Sequence, residues 1–190
     1  TQSMIPAIGG TDFDVTEENI QARIRAVMIM AACNKYGYIP LCTLNNSEIA
    51  VGNHTLYGDS IGALAPIGDL YKIEVYALAR YINKKREIIP DSILSRPPSG
   101  ELHPGQQDSD DLPPYEVLDA ILYRFVEEGQ SQEELVNAGY DRDMVKRVFD
   151  MIKRSTHKRA QLCPSLHLSS KAFGIEFIVP ITNRYFLSRT

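Results

Sequence analysis

Ile39-Pro-Leu-Cys-Thr43, followed by Leu44-Asn-Asn-Ser-Glu48-Ile-Ala-Val51, is the stretch whose reading decides the fold class. The first part is short, apolar and closes in a hydroxyl, so it reads as a buried strand running into a loop. The Asn45-Asn-Ser47 run is rich in capping side chains and opens a short helix from Glu48 to about Asn53. In open α/β sheets, ligands sit beyond the carboxyl ends of the strands. The hydroxyl of Thr43 and the carboxylate of Glu48 could therefore meet one ligand, or one hydrated Mg2+ held by a carboxylate and phosphates. The plainer alternative is that Asn46 and Ser47 cap the helix and Glu48 is a solvated first-turn acid.

On the N-terminal side, residues 1–14 read as loop. Thr16 then reads as a helix cap, with Glu17 and Glu18 where the helix dipole favours acids. Ile20, Ile24, Val27 and Ala31 fall on one face of a helix running to about Asn34, with Arg23 on its flank and Arg25 further round. Met28, Ile29 and Met30 add apolar residues beyond that face, surplus that often marks an interface.

On the C-terminal side, Thr55-Leu-Tyr-Gly-Asp59 makes a turn whose Asp59 could accept bonds from ribose hydroxyls. Asp69 reads as the cap of a helix with Val75, Leu78, Ala79 and Ile82 inward, and Lys72 in its first turn could face phosphate. A polar connection between helices is the simpler account of both. The stretch 88–114 carries six prolines and the acidic run Asp108-Ser-Asp-Asp111, and reads as a long loop. Pro113 and Pro114 open a helix with Val117, Leu118, Ile121, Leu122 and Phe125 inward, stopped by Gly129. Ser131-x-x-Glu134 is a capping box for a short helix closed by Gly139, and Asp141 caps the next, with Val145, Val148, Phe149 and Ile152 inward. Phe177-Ile-Val-Pro-Ile181 is a second candidate strand. The expected fold is α/β, helix-rich, with an incomplete sheet.

The 190 residues are 44% hydrophobic and 23% charged, which excludes collagenous, low-complexity and wholly disordered classes. A net charge of −4 disfavours a nucleic-acid or anionic-membrane coat. No apolar run reaches the roughly 20 residues a membrane span needs, and no signal peptide opens the chain. Cys33, Cys42 and Cys163 lack Cys-x-x-Cys spacing and read as reduced thiols of a cytoplasmic protein. Lys153, Arg154 and His157-Lys-Arg159 cluster at a helix end, where cations either offset the dipole or bind an anion. The two helices around Gly139 have helix-turn-helix proportions, which makes a non-catalytic interaction or DNA-binding module the rival from another class. Interleaved Asp141, Asp143 and Asp150 argue against DNA.

Several ordered blocks carry a resemblance: Glu18-Asn-Ile-Gln-Ala-Arg-Ile-Arg25, Thr43-x4-Glu48-Ile-Ala-Val-Gly52, Thr55-Leu-Tyr-Gly-Asp59, Ala65-Pro-Ile-x-Asp-x-Tyr-Lys72, Arg96-Pro-Pro-Ser-x-Glu101, Asp111-Leu-Pro-Pro-Tyr115 and Thr156-His-Lys-Arg159. Together they resemble the C-terminal part of the synthetase domain of the NAD+ synthetase family, with residues 1–190 as one piece of it. The tail, Leu168-Ser-Ser-Lys-Ala-Phe-Gly174 and Pro180-Ile-Thr-Asn-Arg-Tyr185, resembles the glutamine-dependent branch. The resemblance implies a Rossmann-like, adenine nucleotide alpha hydrolase-like domain with an incomplete parallel sheet.

It also implies a reaction. ATP adenylates the carboxylate of deamido-NAD, and ammonia, from glutamine in that branch, displaces AMP to give NAD+. By position, Asn19, Arg23, Glu48, Asp59, His157 and Lys158 would bind the dinucleotide, Thr43, Lys72 and Ser99 would bind ATP, and Glu48 would hold Mg2+. A homodimer in the cytoplasm, without nucleic-acid or membrane partners, is implied too. Leu56 and Ala63 stand where ammonia-dependent members place Lys and Asp, so those two contacts are not expected. The family's Ser-Gly-Gly-x-Asp-Ser pyrophosphate loop is not among these residues. The chain is therefore expected to be a piece of a longer enzyme, inactive alone even with ammonia, with loop 95–112 mobile or displaced.

Overall fold

The structure is a computed structural model that describes residues 12–171. Residues 1–11 and the candidate strand Phe177–Ile181 lie outside the described residues. The helices are α1 (Val15–Tyr36), α2 (Asn46–Val51), α3 (Lys72–Ile82), α4 (Asp91–Leu94), α5 (Tyr115–Val126), α6 (Gln132–Asn137), α7 (Arg142–Arg154) and α8 (Thr156–Arg159), with a 3-10 turn at Asp108–Asp110.

The sheet is reduced to two isolated parallel bridges among the described residues, Leu41 with Leu64 and Ala65 with Ser165. Cys42 N–H donates to Leu64 O (2.9 Å), Ala63 N–H to Pro40 O (2.9 Å) and Ala65 N–H to Pro164 O (2.9 Å). Three extended segments thus run side by side, and the incomplete parallel sheet expected from sequence is what the fold contains. The buried strand over 39–43 is not: Cys42 is 1% exposed, but Ile39 and Leu41 are 73% and 56% exposed. Strand-like alternation is there, yet little packs against its outer residues.

The main core lies on the other side of α2. Leu118, Ile121, Leu122, Phe125 and Val126 of α5 meet Val145, Val148, Phe149 and Ile152 of α7, with Leu135 of α6 between them. Burying each such aliphatic or aromatic side chain contributes about 1.5–3 kcal/mol, so this cluster dominates stability. The inward faces read for these helices are the observed ones. Ser131 caps α6 with Glu134 in the reciprocal position, and Asp141 caps α7 by accepting from Met144 N–H. A smaller cluster of Cys42, Leu44, Ile49 and Ala65 sits beneath the bridges.

Four expectations about caps and faces fail in the N-terminal half. Asp14, not Thr16, caps α1, because its carboxylate reaches Thr16 N–H (2.6 Å) while Glu17 reaches back to Asp14 N–H (3.0 Å). The buried face of α1 is Ala22, Ala26 and Cys33, whereas Ile24 and Val27 are exposed. Small residues let the 55–60 turn approach the helix, and the large apolar ones point elsewhere. Asp69 does not cap α3 either. It is buried and accepts from Leu168 N–H, Ser169 N–H and the Ser169 hydroxyl, anchoring a segment about a hundred residues later. Tyr71 takes the cap position, and of the expected inward residues only Ala79 is buried; Val75 is half-buried, and Leu78 and Ile82 are exposed.

Candidate functional site

The corner after Leu41-Cys42 is built by α2. Asn45 caps it, accepting from Glu48 N–H (3.1 Å), while Glu48 Oε2 accepts from Asn45 N–H (3.0 Å). This box fixes the Glu48 backbone and one carboxylate oxygen. The other oxygen pairs with Lys72 Nζ at 3.4 Å, and both side chains are largely buried. Burial pushes the Glu48 carboxyl above the usual carboxylate range, while the Lys72 charge and the Asn45 bond pull it back. The Lys72 ammonium also stands 5.2 Å from the centre of the Tyr115 ring. Tyr115 in turn donates its hydroxyl proton to Asp108 Oδ2 at 2.6 Å. Glu48 is therefore not a solvated first-turn acid.

Lys72 and Ser99 line one cavity of about 750 Å³, together with Tyr76, Arg96 and Glu101. A volume of that order suits a small-molecule ligand, and cations on its wall suit an anionic one. Asn19, Asp59 and Lys158 line a second cavity of about 240 Å³, with Glu18, Thr55 and Asp108. Thr55 organises it: its hydroxyl donates to Asn19 Oδ1 (2.7 Å), and its N–H donates to Asp59 Oδ1 (2.7 Å). The exposed Thr43 opens onto neither. It lines a third cavity of about 250 Å³ that shares Thr55, Asp59, Gly100 and Leu102 with its surroundings. Arg23 is exposed and donates to Leu56 O (3.2 Å), and the exposed His157 has its Nδ1 3.0 Å from Arg154 O. Neither lines these three cavities.

Loop 95–112 lies across α1. Gln21 donates to Leu102 O (2.9 Å), Arg25 to Glu101 O (2.9 Å), and Gln106 to Glu18 Oε1 (3.3 Å). These bonds place Gly100 and Leu102 over the second and third cavities.

The basic cluster at 153–159 is used differently by each member. Lys158 Nζ donates to Gly52 O (2.7 Å) and His54 O (2.6 Å), at the end of α2. Desolvation lowers its proton affinity and Asp59 partly restores it. Arg159 reaches Ala50 O (2.5 Å) and Ile152 O (2.6 Å), joining the ends of α2 and α7, and burial pushes it down to about 10. Cations offsetting helix C-termini are the observed arrangement for this pair. Two basic residues of α7 are also engaged, Arg142 paired to Glu133 (2.8 Å) and Arg147 donating to Asp111 O (2.6 Å).

His54 is a site residue that sequence reasoning missed. It is buried on the wall of the second cavity with neither ring nitrogen hydrogen-bonded. Burial, then the charges of Lys158 and Arg159, push it down to about 4, so it is a neutral imidazole. Its one signal was adjacency to Thr55. Among the described residues no group of three or more His, Cys, Asp or Glu is placed to hold a metal. Glu48, the carboxylate that the resemblance gives to Mg2+, has one oxygen on Asn45 N–H and the other on Lys72, and it stands beside the three cavities without lining them.

The sequence profile of a family described as NAD synthase matches residues 2–162. The chain is 46% identical over 184 residues to a glutamine-dependent NAD(+) synthetase of Synechocystis sp., which covers 97% of this chain and 33% of that protein. It spans about a third of the length of the curated relatives it matches. Among solved structures, a glutamine-dependent NAD(+) synthetase from Cytophaga hutchinsonii superposes with a TM-score of 0.76 at 25% identity, over 97% of this chain and 32% of that one. An NMN synthetase from Francisella tularensis superposes with a TM-score of 0.67 at 26% identity, over 88% of this chain and 61% of that one.

Proposed function

The chain belongs to the NAD synthase family, and from that premise we propose that the protein carrying it makes NAD+ from deamido-NAD. In the first step the substrate carboxylate attacks the α-phosphorus of ATP, giving an acyl adenylate and pyrophosphate. In the second, ammonia adds to the acyl carbon and AMP leaves, giving the amide and a proton. Neither step needs a side-chain nucleophile; both need charge neutralisation and alignment.

The observation that supports this reading is the Glu48–Lys72 pair beside a cavity that also holds Ser99, next to a second cavity holding Asn19, Asp59 and Lys158. Lys72 and Ser99 bind ATP phosphates in the first, and Thr43 meets the nucleotide from the neighbouring wall. Asn19, Asp59 and Lys158 bind the dinucleotide in the second, with Arg23 and His157 closing from outside it. Glu48 would hold Mg2+, which would supply charge neutralisation on the phosphates.

The ammonia comes from glutamine in this reading, as the name of the Synechocystis relative suggests. The exposed apolar side chains of α1, Val27 and Met28 each at 68%, are the face of a homodimer. No helix among the described residues is long and apolar enough to cross a membrane, and the reading places the protein in the cytoplasm.

The test is to incubate the full-length protein that carries this chain with ATP, Mg2+, ammonium and either deamido-NAD or nicotinate mononucleotide, and to measure the amide and AMP. Equimolar NAD+ and AMP support the proposal. Turnover of the mononucleotide alone would replace it with the chemistry named for the Francisella relative. A salt-sensitive affinity for duplex DNA, with no nucleotide effect, would favour the rival module.

A further inference from the structure

A buried carboxylate on α5 stands at the meeting point of the two helices that carry Glu48 and Lys72. Asp119 is 1% exposed and has no cation among its hydrogen-bond partners. Its Oδ1 accepts from the Ser47 hydroxyl at 2.5 Å, and its Oδ2 accepts from Ile73 N–H at 2.9 Å. Ser47 is itself fully buried, and its oxygen accepts from Lys72 N–H at 2.8 Å. The Ser47 proton is therefore committed to Asp119, and both carboxylate oxygens are committed as acceptors. One side chain thus fastens the first turn of α2 to the first turn of α3.

We propose that Asp119 is a positioning residue for the nucleotide site, setting the separation of Glu48 and Lys72 without touching ligand. Ser47 precedes Glu48, and Ile73 follows Lys72, so each anchor is one residue from a site side chain. Each helix then adds its own box, Asn45 with Glu48 and Tyr71 with Glu74 (2.8 Å), which fixes rotation about its axis. What the boxes cannot fix is the distance between the helices. That distance is set by the Asp119 bridge together with two direct bonds, Lys72 N–H to Ser47 Oγ (2.8 Å) and Asn46 N–H to Leu70 O (2.8 Å), because the Lys72 and Glu48 side chains meet only through a flexible ammonium stem at 3.4 Å.

An apolar core would be a cheaper way to pack α5 here, since burying a charge without a cation is costly. Its two donors both belong to helix N-termini, where a negative charge is favoured. Glu74 of α3 and Glu116 of α5 add charge that opposes its ionisation. The carboxylate is kept against that opposition by a role that only two acceptors can fill. An amide at this position can keep Ile73 N–H on its oxygen but must meet the Ser47 oxygen with a donor, which strips the buried Ser47 proton of its acceptor and weakens the link to α2.

The inference rests on the proposed ATP site, and the test separates the two. Asp119→Asn and Ser47→Ala are assayed in the protein with ATP, deamido-NAD and ammonium. The expected result is a KM for ATP raised about tenfold in each, a KM for the dinucleotide within twofold, and a double variant no worse than the more severe single one. A general loosening of the fold would raise both KM values together, and that result, or unchanged KM values, overturns the proposal. Additive effects of the two changes also overturn it. Inactivity of the unaltered full-length protein would refute the proposed function instead. In that case hydrogen exchange still decides: Asp119→Asn must speed exchange at the first turns of both α2 and α3, and exchange raised in one or neither overturns the proposal.

Discussion

Replacing Gly52 by alanine should cost far more than replacing Gly37, although the two glycines have the same backbone conformation. Both follow a helix in the left-handed region, Gly37 at φ 70°, ψ 30° after α1 and Gly52 at φ 74°, ψ 28° after α2. The conformational term is therefore matched, at about 1–2 kcal/mol for an L side chain. Their surroundings differ. A Cβ at Gly37 meets nothing within 4 Å, whereas one at Gly52 falls 2.3 Å from Ser155 Cβ and 3.4 Å from Lys158 Cδ.

Ser155 has little freedom to retreat. It is 3% exposed, and its hydroxyl oxygen lies within hydrogen-bond distance of Ala50 O, Met151 O and Ile152 O, with the Arg159 guanidinium on it as well. Overpacking such a site adds about 1–3 kcal/mol. Gly52→Ala should thus destabilise by about 2–5 kcal/mol and Gly37→Ala by about 1–2. Lys158 should also leave the second cavity, because Gly52 O is one of its two acceptors. Thermal unfolding of both variants, with hydrogen exchange over 45–59 and 150–162, makes the comparison. Equal costs within about half a kcal/mol, or unchanged exchange in those segments, would refute the steric argument.

Other outcomes follow from the same contacts. Glu48→Gln should lower ATP-dependent turnover by about 10²–10³, the scale of losing one charged group at a reacting phosphate; turnover within tenfold would remove Glu48 from the site. Arg159→Met leaves the Ala50 and Ile152 carbonyls without their guanidinium; at about 1–3 kcal/mol per buried unpaired group it should destabilise by several kcal/mol, and a loss below 1 would show that water replaces it. His54, pushed down to about 4 in the fold, stays neutral where the unfolded chain takes a proton near 6.5. Its contribution is therefore present above pH 6.5 and lost as pH falls to 4, worth about 3 kcal/mol, and subtracting a His54→Phe stability curve should reveal it. Asp119 runs oppositely: pushed up to about 6, its contribution is full below pH 3.8 and lost as pH rises through 6. Comparison with Asp119→Asn should show that slope, and a flat difference curve in either case refutes the assignment.

Where the sequence was legible, the information was local. The caps of α6 and α7 and their apolar spacing lie within a few residues of one another, and one large core absorbs them. The faces of α1 and α3 were misread because periodicity reports which residues are apolar, not which are covered. On α1 the covered residues are small ones beneath a tight turn, and Val27 and Met28 are left outside. Asp69 had the composition of a cap but spends its oxygens on Leu168 and Ser169, a partnership that spacing cannot reveal. The same holds at the site. Thr43, Glu48, Asp59 and Lys72 could be proposed from short blocks. His54 and Asp119, and the carbonyls that Arg159 serves, emerge only when residues from opposite halves of the chain meet.

The six residues of α2 show why those distant partners matter. A helix this short cannot persist on propensity, because nucleation costs more than so few bonds return. Its N-terminal turn receives Asn45, Glu48 and, through Ser47, the carboxylate of Asp119. Its C-terminal end receives Ser155, Arg159 and, just beyond, Lys158. Negative charge thus stands at the positive end of the helix dipole and positive charge at the negative end. Apart from Leu70 and Lys72, which bond its first turn, the partners beyond the helix's own cap come from 72 to 109 residues downstream. The segment that carries Glu48 is therefore an insert clamped at both poles by α5, α7 and α8, and neutralising either clamp should displace Glu48 before it unfolds the core. The two ends are separable in experiment. Loss of Asp119 should act on the cavity of Lys72 and Ser99, and loss of Lys158 on the cavity of Asn19 and Asp59, so Lys158→Met should raise the KM for the dinucleotide and leave that for ATP within twofold. A Lys158→Met protein with both KM values raised alike would show that α2 moves as one rigid piece and that the two clamps are not independent.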